Sequence, residues 1–469
     1  MRKKRDTQGW IEFQPSSLKL TTQYFARYDG ISEILDKTPK LLELLHRDLE
    51  RALELENRRR KGRGGFVYTS EMVLRLCLCQ VIEGASLREI IVRVDDSHYL
   101  RRFTRIHGGP MMNHSTLCKL RNAIQPETWK KLNRVLAKAA VDGERITGEK
   151  LRLDTTAVET NIHWPTDSSL LWDGYRTLGR LIDQAREIDP SAVGNQRLHL
   201  RRVKRLATLV ARRANSKGRK GTDLGPLYKG LISRVERMCD WVVRLALELE
   251  RGLRSKRYGL LEYVAVEGLV VELRHFEALT RRVVWQASER VLLGRPVPNE
   301  KKLFSLFEPH TELLKRGKAG KDVEFGHMVQ LQQVGEKFIT DYEVFDKKPV
   351  EPALVRPALE SHEALFGRAP ESVAADKGYW SSEELGDVFE SVDIVAIPKK
   401  GRRDSTEEKR ELDPRFKLAQ RFRAGIEGSI SFLKRILRLA RCMNKGWKHY
   451  VATVGATVLA HNLLVLARC

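Results

Sequence analysis

Cysteine is scarce in this chain. Six residues, Cys77, Cys79, Cys118, Cys239, Cys442 and Cys469, are scattered through 469 positions. Such a distribution offers no disulfide framework. Cys77 and Cys79 fall on different sides of a helix and lack a second Cys/His pair at zinc spacing, which argues for reduced thiols in a cytoplasmic protein. Long apolar runs are missing as well. None is read as reaching the length of a bilayer span, and the opening Met1-Arg-Lys-Lys-Arg-Asp6 leads into no signal core, so no membrane partner is expected. Acids are the third shortage: 61 Asp and Glu stand against 85 Lys and Arg, for a formal charge of +24. Such an excess calls for a polyanionic partner, above all nucleic acid. What remains, 42% apolar and 31% charged residues, is the composition of a globular chain long enough for two to four domains.

The acid shortage is local. Between Pro190 and Thr222 no acid occurs, while Arg197, Arg201, Arg202, Lys204, Arg205, Arg212, Arg213, Lys217, Arg219 and Lys220 fill the gap. A solvated face normally interleaves acids, so this stretch reads as a phosphate-binding surface. Upstream, the chain reads as helical after Asp29-Gly30, and Arg58–Gly65 reads as a basic linker. From Thr69 to Ala123 short helices follow: one stops at Gly84, Ser86-Leu-Arg-Glu89 is a capping box, and another starts near Asn113 or Ser115 with Lys119 and Arg121 pointing outward. A helix-turn-helix-like DNA reader and plain three-helix packing both fit.

Around Leu151 the period changes to that of a strand, with Asp154 opposite Leu151 and Leu153. A carboxylate inside a β-prone run is costly to bury without a task. A loop holding Asp167 and Asp173 follows, and residues 175–318 read as helical throughout. Strand signals return near Val323, with a hairpin at Val334-Gly335-Glu336. Next come a helix from Pro357 to Phe366, a short strand ending at Asp376, and a strand from Ser391 to Ile397. His327 reads as a strand residue, not a ligand. An apolar helix from Tyr450 to Leu466 is expected to cap the core.

The segment from Arg421 to Lys434, read as one helix, lines up Gln420, Arg423, Glu427 and Lys434 on a polar face beside Phe422, Ile426, Ile430, Leu433 and Leu437. Gly425 and Gly428 flank the carboxylate, as if a side chain there would block something. A metal-binding acid between phosphate-gripping cations fits, and so does a solvated salt-bridged face. Asp154, Asp376 and Glu427 all sit where a mixed sheet and its helices could bring them together. Three acids around one point stay ionised only beside cations, and Mg²⁺ or Mn²⁺ with oxygen ligands suits phosphoryl transfer. Glu159, Asp167 and Asp173 are rivals for the place of Asp154; Glu159 is expected to face solvent.

These residues resemble the DDE transposases of bacterial insertion sequences, which share an RNase H-like catalytic fold, and within them the ISNCY group. The resemblance rests on Leu153-Asp-Thr-Thr-Ala-Val-Glu-Thr-Asn-Ile-His163, Pro165-Thr-Asp-Ser-Ser-Leu-Leu171, Ala375-Asp-Lys-Gly-Tyr379 and the closing helix. Related transposases carry a Tyr-Arg-Glu-Lys signature there; Arg423, Glu427 and Lys434 match its spacing, but Gln420 stands at the Tyr position. The resemblance implies Asp154, Asp376 and Glu427 as catalytic and metal-binding residues. Beside that triad, Arg423, Lys434 and Lys377 are read as DNA-binding, with Arg201, Arg202, Arg205, Arg212, Arg213, Lys119 and Arg121 further out.

The expected architecture is mixed α/β, an RNase H-like sheet with a large helical insertion after its first strand and an N-terminal helical domain. Its boundaries are placed at 1–145 (end-binding helices), 146–175 and 319–445 (catalytic domain), 176–318 (basic insertion) and 446–469 (last helix). The expected function is a transposase that binds the terminal repeats of its element as a dimer on double-stranded DNA. It would cut there and join the 3′-hydroxyl to target DNA, acting in the bacterial cytoplasm at the nucleoid. A metal-dependent nuclease of the same fold and a non-catalytic DNA-binding regulator are the alternatives.

Overall fold

The structure, a computed structural model, describes residues 3–5, 18–59, 68–214, 224–318 and 321–468. The chain forms two compact units, one of residues 1–160 and 326–469, the other of residues 161–325. Seven strands occur among the described residues: β1 (Lys150–Thr160), β2 (Glu312–Lys318), β3 (Lys321–Gln333), β4 (Ile339–Val344), β5 (Ser372–Ala374), β6 (Ile394–Ala396) and β7 (Arg441–Cys442). The sheet runs β2-β3-β1-β5-β6, with β4 also on β3 and β7 on β1. β3 is antiparallel to both β1 and β4, whereas β5 runs parallel to β1 and β6 parallel to β5.

β1 is central because its alternation serves two faces. Leu151 and Leu153 join Val355, Leu359, Val373 and Ile397 in one apolar cluster, while Arg152 and Asp154 face the other way, as period two requires. Val158, on the same face as Asp154, joins the larger core of the first unit.

That larger core is built on the helix Trp447–Leu466. Contrary to the expectation from sequence, this helix is long and apolar enough to cross a bilayer, but 78% of its apolar window is buried. It is hydrophobic on all sides because the helices Pro126–Asp142 and Ser70–Ile82 and strand β4 surround it. It therefore forms the axis of the core, not its cap. Asn462 braces β4 by accepting from the Ile339 N–H at 3.0 Å and donating to the Ile339 carbonyl at 2.7 Å.

The N-terminal helices follow their predicted signals. Ser70–Ile82 is capped by Thr69 and Leu87–Asp96 by the Ser86/Glu89 box, and His114–Ala123 starts after Asn113. One boundary differs. The first helix runs from Lys19 through Asp29-Gly30 to Lys37, because Gly30 is a point of close approach and not a break: a Cβ there would stand 2.9 Å from Ala467 Cβ. The predicted linker Arg58–Gly65 extends into residues 60–67, outside the described residues.

The second unit packs the helices Asp167–Ile188, Leu200–Ala214, Gly225–Arg254 and Leu260–Ala287 around Leu178, Val203, Leu231, Val242 and Leu273. Two expectations fail here. Residues 175–318 are not helical throughout, since β2 begins at Glu312. Asp167 and Asp173 lie in the first turns of a helix, with Thr166 as its cap.

Candidate active site

Strand register brings the first two acids together. β1 and β5 pair Arg152 with Ala374, so two residues further on Asp154 comes level with Asp376, just past the end of β5. The third acid arrives on the helix Ile426–Arg435. One guanidinium touches all three. Arg423 Nη2 lies 3.4 Å from Asp154 Oδ2 and 3.9 Å from Asp376 Oδ2, and Nη1 lies 3.3 Å from Glu427 Oε1. The two aspartate oxygens are therefore no farther apart than the sum of their distances to one nitrogen. The grip is loose: these distances are long for charge-assisted hydrogen bonds, and the buried Nε of Arg423 has no hydrogen-bond partner among the described residues.

The local fold explains why Arg423 can reach inward. The predicted single helix is two, Pro414–Ala424 and Ile426–Arg435, with a break at Gly425. A side chain at Gly425 would run into the Arg152 guanidinium. Arg152 is buried, donates to Gln333 Oε1 at 2.8 Å and to the Phe422 carbonyl at 2.5 Å, and lies over the Phe422 ring. Burial lowers its pKa to about 10. Gly425 thus makes room for an arginine that caps the end of the first helix. Gly428 has open space around its Cβ position, so the blocking argument holds for one glycine of the pair. Gln420, at the position of the signature tyrosine, donates to the Ala375 carbonyl at 3.0 Å and also to that of Ala396. It ties this helix to the ends of β5 and β6, one residue before Asp376.

A fourth acid was missed in the sequence. Glu351 opens the short 3-10 turn Glu351–Leu354 and accepts from Thr155 Oγ1 at 2.6 Å. Its other oxygen lies against Gly378, where a Cβ would collide with it. Its one sequence signal was an acid directly before Pro352 at a helix start, which says nothing of its neighbours. Beneath this group sits Tyr379, fully buried. Burial, then the charges of Asp154, Glu351 and Asp376, pushes its hydroxyl pKa well up.

The rivals to Asp154 are engaged elsewhere. Glu159, expected to face solvent, pairs with Arg441 at 2.8 Å. Asp167 pairs with Arg290, and Asp173 with His163 and Arg176. His327 is a buried strand residue whose Nδ1 lies 3.0 Å from the Phe345 carbonyl. Lys434 is half-buried on the helix of Glu427, and Lys377 is exposed beside Asp376. Arg201, Arg202, Arg205, Arg212 and Arg213 are exposed on the helix Leu200–Ala214, whose Val203, Ala207 and Val210 are buried. Lys217, Arg219 and Lys220 lie outside the described residues. Lys119 is exposed as expected. Arg121 is a correction: it is half-buried and reaches Thr453 Oγ1 at 3.4 Å, because its helix packs this face inward.

The donor set, three carboxylates beside the central strand β1 where β5 ends, has the hard-oxygen chemistry of a Mg²⁺ or Mn²⁺ site. Among the described residues no three His, Cys, Asp or Glu side chains close around one metal-sized point, and at the three acids the Arg423 guanidinium stands between them. No curated protein and no solved structure matches the chain. Residues 26–123, which include most of the N-terminal helices, match the family model described as Transposase domain (DUF772).

Proposed function

We propose that this chain is a DNA transposase of the DDE type, in which Asp154, Asp376 and Glu427 hold divalent cations. A phosphodiester at the element's ends is cut there, and the freed 3′-hydroxyl attacks target DNA. One observation carries the reading: three acids far apart in sequence converge on a single cationic group beside the central strand β1, where β5 ends. The strand order, three antiparallel strands followed by two parallel ones, supports an RNase H-like catalytic domain. The match of residues 26–123 to a transposase domain and the charge of +24 support DNA as substrate.

The bound cations would activate the attacking oxygen and stabilise the leaving one. The protein's own part is to position them. β1 and β5 fix the two aspartates in register, Gln420 anchors the backbone before Asp376, and Arg423 carries a fork suited to a phosphate once cations neutralise the acids. The exposed arginines of the helix Leu200–Ala214 would contact the backbone of bound DNA.

The test uses labelled DNA carrying the element's terminal repeats, with and without Mg²⁺, and with pre-cut ends plus supercoiled target. A transposase cleaves and joins; a nuclease of this fold cleaves without joining; a regulator binds and does neither.

A further inference from the structure

Asp376 presents its two oxygens to different neighbours. Oδ2 faces Arg423 at 3.9 Å, whereas Oδ1 accepts from the Gly378 N–H at 2.7 Å. Glu351 comes up beside that second oxygen. Thr155 holds its Oε1, which leaves Oε2 against the bare Cα of Gly378, the same spot that Asp376 Oδ1 approaches. Glu351 makes no ion pair among the described residues. Two carboxylates turned toward one gap with no cation between them repel. The hydroxyl of the fully buried Tyr379 lies within reach of the charges of Asp154, Glu351 and Asp376, with the Gln330 side chain as a neighbour and no partner in ordinary hydrogen-bond geometry among the described residues.

Charge adds to this. Asp154, Asp376, Glu427 and Glu351 together carry four negative charges, and the Arg423 guanidinium that touches the first three carries a single positive one. Two divalent cations would meet the acids' demand, and a three-acid site leaves Glu351 unexplained.

We propose that Glu351 is a fourth carboxylate of this centre and that it shares a divalent cation with Asp376, on the side of Asp376 away from Arg423. The inference rests on the metal-dependent reading above. It gives Thr155 a positioning role, since its hydroxyl fixes which Glu351 oxygen remains for the cation.

Calorimetric titration of the full-length, DNA-free chain with Mn²⁺ tests it, with thermal unfolding in EDTA alongside. E351Q keeps the shape and the acceptor for Thr155 but loses the charge. The expected result is Mn²⁺ binding weakened about tenfold or more, or loss of one ion, with unfolding in EDTA at the same or a higher temperature. If E351Q does not fold, E351D keeps the charge, withdraws the oxygen by one methylene, and is expected to weaken Mn²⁺ in the same way. Mn²⁺ binding by either folded variant with wild-type affinity and stoichiometry overturns the proposal. D154N separates the two readings. If D154N loses Mn²⁺ while E351Q keeps it, Glu351 alone falls; if the wild-type chain takes up no Mn²⁺, Glu351 falls together with the metal-dependent reading.

Discussion

Arg423 donates from Nη2 to Asp154 Oδ2 at 3.4 Å, across 269 positions of sequence. Together with its contacts to Asp376 and Glu427, this bond lets a single guanidinium offset part of the repulsion among the three acids. Removing it should therefore expose their repulsion. R423A is expected to unfold more easily than wild type in EDTA, by about 1–2 kcal/mol given the partial exposure of Glu427. Mn²⁺ should recover most of that loss. Thermal unfolding with and without Mn²⁺ reads both, and equal stability of R423A and wild type in EDTA counts against the arrangement.

Gly425 and Gly428 make a matched pair. A methyl at Gly425 meets the Arg152 guanidinium, whereas Gly428 has free space. G425A should destabilise the chain by about 1–3 kcal/mol, the usual range for overpacking. G428A should be neutral, or stabilising by up to about 1 kcal/mol through helix propensity. Urea unfolding compares the two, and similar losses for both would contradict the packing described.

Stability should depend on pH through two buried histidines. Burial pushes His362 and His461 down to about 4, and the unfolded chain protonates them near 6.5. Between those values the unfolded state binds more protons. Their contribution is thus full above about pH 6.5 and shrinks as pH falls toward 4, by up to roughly 3 kcal/mol per histidine. H461Q keeps a donor for the Lys337 carbonyl, which lies 3.0 Å from His461 Nε2, and cannot titrate. Urea midpoints at pH 7.5, 5.5 and 4.5 should fall less steeply for H461Q; parallel profiles would contradict this.

The helix Leu200–Ala214 supplies a salt test. Arg201, Lys204, Arg205 and Arg212 line one concavity on it. If each of the three arginines meets a phosphate, the triple variant R201A/R205A/R212A should flatten the slope of log affinity against log salt by about 0.9 for each phosphate no longer neutralised. Binding should weaken alike on specific and random DNA, and an unchanged slope would remove this helix from the DNA interface.

Local signals carried much of this fold. The β1 alternation, the Ser86 capping box and the hairpin at Val334-Gly335-Glu336 are each set by a few neighbouring residues, so they were legible. The three acids could be singled out because Asp154 interrupts a β-prone run, Asp376 follows directly on a short strand and Glu427 lies one turn from Arg423. Tertiary facts were not. Nothing near Gly425 in sequence announces Arg152, and nothing near Glu351 announces Thr155 or Gly378, since these meet only through strand register. The break at Gly425, the inward turn of Arg121 and the central burial of Trp447–Leu466 depend on what packs against them. Gln420, a departure from the expected tyrosine, gained a meaning only from the two strand-end carbonyls it reaches.

Single-turnover cleavage of end-labelled repeat DNA in Mg²⁺ probes the acid cluster most directly, comparing wild type with D154A while end binding is followed in parallel. The expected result is binding within a few-fold of wild type and cleavage reduced on the order of 10³-fold or more. Cleavage by D154A at the wild-type rate would contradict it.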